Sequence, residues 1–568
     1  DNEDSDRRRF YSSDGIDIWT KGQVTLLPTT EPVATTGLLG TEDLIIERFV
    51  NGTDGTEYLY LAHDSTVHYS TDGGTTWDVS GVISAAAIVT SMTCDGTNVY
   101  LALTGTNAPE KYILGATANL TYGTETPDLL QVAAGRMIGA YENSIYELDS
   151  AGAKASSSLD YSLPLASSRW ISVTAAANGI YAANTDNTGS IYYVGVNNAD
   201  GTLRTTTIAA SLPRNETINA IIAYGGVLGL ATSTGFRLGL IDQQSSGVTI
   251  GPAIDTGGAA FSLEVDSQFM WWGCNYAQVY RADLARFTET LVPVYAADLK
   301  MSSGIVADDK VVSLARLNNS KLFLAINKET GPGVLYRESY TNEKLAEGSF
   351  VAGEITWSTV VPKLLRSGVI DLDRSQFERT SIDYRATGIA YDASTYEYRF
   401  GLPTSEAAGE IRLTATNNAD IGSTLLDMAT QVPQTFDFGT SSKTAISYDL
   451  TGTLLRSTSD PTVAPILHDW QLTAVAVPRR IDEIIIPIVL RRSVLTARNS
   501  GAPASFVAGN VFTALRALME NGTAVTYVEG ARTDTVTIER LEMQPERLSD
   551  DGSWWEGTLI ARLLTVPI

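Results

Sequence analysis

Cysteine and histidine are scarce in this chain of 568 residues. The two cysteines, Cys94 and Cys274, are too few for a disulfide framework or a four-cysteine metal site. The three histidines are His63, His68 and His468, and the last lies far from the other two in the sequence. The composition therefore predicts neither structural zinc nor haem, and we expect no metal and no cofactor.

Positive charge and long apolar runs are scarce as well. Lys and Arg number 40 against 65 Asp and Glu, which gives a formal net charge of −25. An acidic surface repels phosphate backbones and anionic lipid headgroups, so we expect no nucleic-acid partner. No stretch approaches the roughly 20 apolar residues of a membrane-spanning helix, so membrane insertion is not expected. Because the sequence starts at Asp1 rather than Met, we expect a processed chain or part of a longer product.

Residues typical of strands and tight turns are abundant. The chain has 48 glycines, 43% hydrophobic residues and only 18% charged residues, and it is rich in Thr, Ser, Asn and Asp. This composition favours a folded, mainly β protein. A length of 568 residues exceeds what one hydrophobic core supports, so we expect two or more domains.

One unit recurs along the first part of the chain: a short apolar run, a polar turn and a second, alternating run. Successive starts lie about 37 to 54 residues apart, which is the spacing of four-stranded propeller blades. We predict a seven-bladed β-propeller over residues 1–360, with eight blades as the alternative and a half unit at 9–27 completing the last blade. A sandwich is disfavoured because it would not repeat a hairpin so often at one period. The instances are 57–77, 98–115, 135–148, 179–196, 225–240, 267–282 and 321–337.

The sharpest local motif is formed by Ser70, Asp72, Gly74 and Trp77 in the spacing S-x-D-x-G-x-x-W. The Asp can accept turn N–H groups, the Gly can adopt a positive φ, and the Trp can pack into its own blade. The motif resembles the Asp-box of sialidase-type propellers. That resemblance implies a structural turn lying away from the catalytic face.

No sequence pattern indicates catalysis. Sialidases introduce their arginine triad with an F/Y-R-I-P motif near the first blade. The nearest string here runs from Phe236 to Gly239, has Gly in place of Pro, and lies in a middle unit. Nucleophile-elbow, phosphate-loop and zinc-protease motifs do not occur. We therefore expect no enzymatic activity.

Two tryptophan pairs are the remaining candidates for ligand contact. They are Trp271 with Trp272 and Trp554 with Trp555. Neighbouring residues in a strand point to opposite faces, so one member of each pair could stack on a carbohydrate. For the first pair we favour packing between blades over carbohydrate stacking, and for the second pair we favour a domain or subunit contact.

The texture of the sequence changes twice after residue 360. Residues 361–477 alternate between apolar and polar positions with Asn, Asp and Gly turns, which predicts an antiparallel β-sandwich. Residues 478–568 predict a small α+β domain, with a helix at 508–520 followed by strands at 523–529, 535–543 and 555–566.

The end of the chain carries a recognisable order of runs. They are PILHDWQL at 465–472, AVPRR at 476–480 and EIIIPIVL at 483–490, followed by the helix and a last strand that ends in LLTV. This order resembles the C-terminal part of minor tail proteins of actinobacterial siphophages, apart from a long insert at 492–505.

The resemblance implies a structural protein of the virion tail tip, in tail assembly and host-surface attachment. Its expected partners are other phage tail proteins, sister copies in a homotrimer, and a host cell-surface glycan. The last domain would be the assembly module. Two alternatives remain open: a secreted or virion-associated glycan hydrolase on a propeller scaffold, and a bacterial cell-surface adhesin.

Overall fold

The chain is mainly β, with many four-stranded antiparallel sheets that are consistent with propeller-like blades. The computed structural model describes residues 12–20, 22–33, 44–77, 82–120, 122–185, 189–197, 199–301, 306, 308–318, 321–355, 363–372, 390–392, 397–399, 410–417, 427–428, 434–437, 444–445, 448–456, 460–476, 482–490, 508–548 and 555–565.

The first four strands belong to an N-terminal strap, which we define as residues 12–20 and 22–33. Its strands are β1 (Ser12–Asp14), β2 (Ile16–Asp17), β3 (Thr25–Leu26) and β4 (Thr30–Pro32). Strands β2 and β3 pair with each other, whereas β1 and β4 join two different sheets elsewhere in the molecule. The strap therefore links separate parts of the fold.

Seven four-stranded sheets follow one another in the described part of the chain between residues 45 and 338. Sheet 1 contains β5 (Ile45–Val50), β6 (Glu57–His63), β7 (Thr66–Ser70) and β8 (Ile83–Ser84). Sheet 2 contains β9 (Val89–Cys94), β10 (Asn98–Leu103), β11 (Glu110–Ile113) and β12 (Asn119–Leu120). Sheet 3 contains β13 (Leu129–Ala133), β14 (Arg136–Tyr141), β15 (Ser144–Leu148) and β16 (Asp160–Ser162). Sheet 4 contains β17 (Trp170–Ala176), β18 (Gly179–Asn184), β19 (Ser190–Val194) and β20 (Thr207–Ser211).

The remaining three sheets repeat this order. Sheet 5 contains β21 (Ile218–Tyr224), β22 (Val227–Thr232), β23 (Gly235–Ile241) and β24 (Val248–Ile250). Sheet 6 contains β25 (Ala260–Asp266), β26 (Phe269–Cys274), β27 (Val279–Phe287) and β28 (Pro293–Leu299). Sheet 7 contains β29 (Lys310–Arg316), β30 (Leu322–Asn327), β31 (Val334–Glu338) and, as its outermost strand, β4 from the strap.

The second strand of each sheet is apolar on both faces because each sheet packs between two others. All six residues of β18 and of β22 are buried. An apolar cluster fills the space between each sheet and the next, and a further cluster lies between sheet 7 and sheet 1. The first strand of each sheet contacts the first strand of the next, and β29 of sheet 7 contacts β5 of sheet 1.

The recurrent unit of the sequence is the middle of each sheet. Every one of the seven predicted hairpins overlaps the second and third strands of one sheet, and the preceding text supplies the first strand. The prediction for the half unit was wrong in its position: the strand that completes sheet 7 is β4 at Thr30–Pro32, not the segment 9–27. Strand β4 pairs with a strand about 300 residues later in the sequence, so no local pattern could have shown its position.

Residues 347–476 form further strands. They are β32 (Glu347–Ile355), β33 (Lys363–Leu372), β34 (Ala390–Asp392), β35 (Glu397–Arg399), β36 (Glu410–Asn417), β37 (Asp427–Met428), β38 (Gln434–Asp437), β39 (Thr444–Ala445), β40 (Tyr448–Leu455) and β41 (Leu467–Ala476). A five-stranded sheet has the order β1-β32-β40-β36-β37, and β33 pairs with β38, β39 and β41. Strand β32 falls in the predicted propeller range 1–360 but pairs with β40, so this part of the fold begins earlier than predicted. Much of the predicted sandwich, 361–477, lies outside the described residues.

The C-terminal unit is a four-stranded antiparallel sheet with a helix on one face. Its elements are β42 (Glu483–Leu490), α1 (Ala508–Glu520), β43 (Val525–Glu529), β44 (Arg532–Leu548) and β45 (Trp555–Thr565), and the sheet order is β42-β45-β44-β43. The helix has the predicted bounds, and Asn521 and Gly522 follow its last residue, where Gly522 has a φ of 62°.

Candidate functional site

The Asp-box-like turn is held together by hydrogen bonds within itself. Ser70 Oγ donates to Asp72 Oδ1 at 2.8 Å, and the Gly74 N–H donates to Ser70 Oγ at 2.9 Å. The Asp72 carboxylate also accepts the Thr75 N–H at 3.1 Å and the Thr76 N–H at 2.9 Å. Desolvation opposes ionisation of Asp72, but these hydrogen bonds outweigh it and lower the pKa of the carboxyl. The contacts of Asp72 therefore stabilise the turn.

Gly74 and Trp77 fix this turn against a neighbouring sheet. Gly74 has a φ of 78°, and a Cβ added there would lie 2.6 Å from the Phe323 ring of sheet 7. Trp77 is 8% exposed and packs in the cluster between sheet 1 and sheet 7. The indole therefore fills the space between two sheets, whereas the sequence predicted packing within its own blade.

A cleft of about 270 Å³ lies beside the turn and is lined by Glu57, Leu59, Leu317 and residues 70–73. The Glu57 carboxylate is already engaged, since it lies 2.5 Å from Arg48 Nε and accepts the Asn318 N–H at 3.2 Å. Asp72, the other acid of the lining, is held by the turn. Both carboxylates of this cleft therefore serve the structure.

Trp271 and Trp272 are completely buried, with 0% exposure each. Trp272 is stacked between Phe236, at a centroid distance of 4.3 Å, and Tyr280, at 5.6 Å. Trp271 donates from Nε1 to Asp298 Oδ2 at 2.6 Å. Both tryptophans therefore pack between neighbouring sheets, which is the role that the sequence favoured for this pair, and neither ring is open to a carbohydrate.

The second tryptophan pair lies where the last described range of residues begins. Trp554 is outside the described residues, and Trp555 is described only as the backbone of the first residue of β45. Its predicted role in carbohydrate stacking stays a prediction.

Two glutamates that the sequence did not single out form an electrostatically coupled pair. Glu47 lies on β5 and Glu264 on β25, the first strands of sheets 1 and 6. Burial, and then the charge of Glu264, raise the pKa of Glu47 to about 8. Burial raises the pKa of Glu264 to about 7, although the Val265 N–H and the charges of Arg48 and Arg316 act against it. Sequence spacing could not reveal the pair, because its members lie 217 positions apart.

This pair predicts how stability depends on pH. The pKa of Glu47 lies above its ordinary value of 4.5, so the folded state holds a proton that the unfolded chain releases. Stability contributed by the protonated carboxyl is therefore lost as the pH rises from 4.5 through about 8. We expect the variant Glu47→Gln to keep its melting temperature better than the parent between about pH 5 and about pH 9. Differential scanning calorimetry measures the melting temperature of both proteins across this pH range. If the two melting temperatures change equally with pH, the raised pKa of Glu47 is contradicted.

The C-terminal sheet leaves one face uncovered in the described part of the chain. Ile484, Ile486 and Ile488 of β42 pack under α1, and the alternate residues Ile485 and Val489 are 54% and 46% exposed. We call the side opposite α1 the outer face. It also includes Val528, which is 63% exposed on β43.

Charged residues cross the middle of the outer face and are paired with one another. Arg562 Nη1 lies 3.2 Å from Glu483 Oε1, and Arg562 Nη2 lies 3.9 Å from Glu542 Oε1. Arg540 Nε contacts the same Glu542 oxygen at 3.0 Å. The outer face therefore combines exposed aliphatic side chains with charges that are already compensated.

Two further observations concern possible metal ligands and the two thiols of the described residues. Within these ranges, no group of three or more His, Cys, Asp or Glu side chains could hold a metal ion. Burial raises the pKa of Cys94 to about 11 and that of Cys274 to about 12, which keeps both thiols protonated near neutral pH. None of the described helices is long and apolar enough to cross a membrane.

Comparisons with known proteins do not indicate a function for this chain. No protein-family model matches the sequence, and no curated protein matches it. Among solved structures, hydrazine synthase of Kuenenia stuttgartiensis is similar over 52% of this chain and 95% of its own, with 10% identity and a TM-score of 0.38. At this level of similarity, the match says nothing about what this protein binds or does.

Proposed function

We propose that sheets 1 to 7 are the blades of a closed seven-bladed β-propeller, that residues 361–477 belong to a β-sandwich, and that residues 478–568 are a separate α+β domain. Closure is supported at the point where the last blade meets the first. There Ser313 Oγ donates to the Ile46 carbonyl at 2.8 Å and accepts its N–H at 3.2 Å. The same kind of bridge joins Ser172 of sheet 4 to Ile221 of sheet 5.

We further propose that the protein is a structural component of a siphophage tail tip. The sequence resemblance over residues 465–568 supports this assignment. So does the order of elements there, in which β41 and β42 are followed by α1 and three strands. In this proposal the propeller acts by binding, as a rigid platform offered to a host-surface glycan.

The observation that carries the assembly role is the outer face of the C-terminal sheet. Exposed aliphatic side chains in a patch mark interaction surfaces, and here Ile485 and Val489 lie beside the charges of Arg562, Glu483 and Glu542. Because those charges are mutually paired, covering them costs less than covering single ions.

We propose that sister copies cover this outer face. A three-fold axis can bring the outer faces of three copies together, which fits a homotrimer. Strand pairing along the free edge of β42 is disfavoured because Pro487 removes one backbone donor from it. The remaining contacts, to other tail proteins, would use the rest of the C-terminal domain.

A charge placed on the outer face tests this role. We expect the variant Ile485→Glu to be monomeric in size-exclusion chromatography with light scattering, while the parent chain is trimeric. The reason is that a new carboxylate would be buried without a partner in the interface.

Ile208→Glu is the matched control, because Ile208 is 64% exposed on β20 of the propeller. It should leave the trimer intact. A monomeric parent chain, or loss of the trimer in both variants, would contradict the assembly role.

The second candidate function, a glycan hydrolase, is not favoured by the coupled pair Glu47 and Glu264. A glycosidase needs one protonated carboxyl beside one carboxylate, whereas burial raises the pKa of both glutamates, to about 8 and about 7. If the protein is structural, we expect that incubation with host polysaccharide releases no more reducing ends than a heat-inactivated control. Release that is lost in Glu47→Gln would establish the hydrolase instead.

A further inference from the structure

We propose that the Asp-box-like turn, residues 70–77, is a lock that holds sheet 7 and the N-terminal strap against sheet 1. We call the space between sheets 7 and 1 the seam. The sheets on its two sides come from opposite ends of the repeat region, so the seam must be closed by contacts between distant residues. This role goes beyond stabilising a single hairpin and is independent of what the propeller binds.

The turn offers two backbone carbonyls to sheet 7. Arg337 Nη1 donates to the Gly74 carbonyl at 2.9 Å, and the Tyr340 hydroxyl donates to the Gly73 carbonyl. The Arg337 guanidinium also lies 4.1 Å from the centre of the Tyr340 ring. Residues 263 positions apart in the sequence are thereby joined.

Arg337 extends this contact to the strap. Its Nε lies 2.8 Å from Glu31 Oε1 on β4, and the same oxygen accepts the Tyr340 N–H at 3.4 Å. The two charged side chains are only 17% and 33% exposed, so water screens their attraction incompletely. One arginine thus connects the turn of sheet 1, the third strand of sheet 7 and the strap.

Packing under the turn reinforces the hydrogen bonds. Trp77 belongs to the apolar cluster that fills the seam, together with Phe323 and Leu335 of sheet 7. The Asp72 hydrogen bonds hold the turn in the shape that places the Gly73 and Gly74 carbonyls opposite Tyr340 and Arg337.

The pairing between the strap and sheet 7 is short. Strand β4 pairs with β31 at Thr30, Glu31 and Pro32, and one backbone hydrogen bond follows on each side, from the Val33 N–H to the Leu335 carbonyl and from the Ser339 N–H to the Thr29 carbonyl. The same strap carries β1 into the five-stranded sheet of the next part of the fold. Loosening the turn should therefore loosen strap and seam together, which makes the turn a joint between the propeller and the region that follows.

Hydrogen–deuterium exchange of the full chain tests the lock. In Asp72→Ala, we expect amides of 30–33 and 334–338 to exchange about tenfold faster or more, in addition to those of the turn. Asp242→Ala is the control, since Asp242 holds an exposed turn of sheet 5 by accepting the Gln244 N–H at 2.9 Å. Its effect should stay within residues 242–247.

The proposal is overturned if faster exchange in Asp72→Ala is confined to residues 70–77, or if both variants change the strap equally. If Asp72→Ala does not fold, Glu31→Gln gives the same readout, because it removes only the charge that binds Arg337. Unchanged exchange of residues 30–33 in Glu31→Gln would also overturn the proposal.

Discussion

Replacing Trp272 with alanine is expected to lower the free energy of unfolding by about 3–5 kcal/mol. The indole is 0% exposed and lies between the rings of Phe236 and Tyr280, so its removal leaves a cavity between sheets 5 and 6. Its Nε1 also donates to Thr256 Oγ1 at 3.3 Å, and that hydroxyl would lose a partner. Denaturant unfolding followed by circular dichroism measures the change.

Tyr224→Ala is the matched control for this aromatic truncation. Tyr224 ends the first strand of sheet 5 and is 42% exposed, so the expected change is within about 0.5 kcal/mol. Equal effects of the two variants would mean that Trp272 is not a core residue. The carbohydrate-stacking role predicted from the sequence would then regain support.

Removing residues 478–568 is expected to leave the seven sheets folded and to abolish the trimer. The described strands of the C-terminal sheet pair only with one another, and its apolar clusters draw only on residues between Ile484 and Leu563. The apolar clusters of sheets 1 to 7 likewise lie between those sheets, so we expect the C-terminal unit to be separable from them.

The truncated chain should be monomeric in light scattering and should keep the melting transition of the propeller. A truncated chain that still forms trimers would reverse the roles of the two parts. An insoluble truncated chain would show that sheets 1 to 7 need the C-terminal unit to fold.

The elements that the sequence predicted well are those set by local pattern. Each predicted hairpin has two apolar runs around a turn, and these runs became the middle strands of a sheet. The helix at 508–520 has its apolar residues on one face and a glycine after its end, and its predicted bounds agree with the structure. Local periodicity and turn chemistry determine such elements before any tertiary contact is made.

The features that could not be predicted depend on residues distant in the sequence. Strand β4 completes sheet 7 by pairing Glu31 with Arg337. This strand has only three residues, and their local sequence does not indicate a partner so far along the chain. The sequence left open whether one face of the strand with Trp271 and Trp272 is exposed, and only the neighbouring sheets decide that both side chains are buried. The coupling of Glu47 with Glu264 also arises only when sheets 1 and 6 come close together.

The tail-tip assignment rests on the C-terminal domain and is tested most directly by locating the protein. Tailed particles can be purified by density gradient and their proteins identified by mass spectrometry. We expect peptides of this chain in intact particles and in isolated tails, at the stoichiometry of a homotrimer. Finding the chain only in the host cell envelope or the culture medium, with none in purified particles, would contradict it.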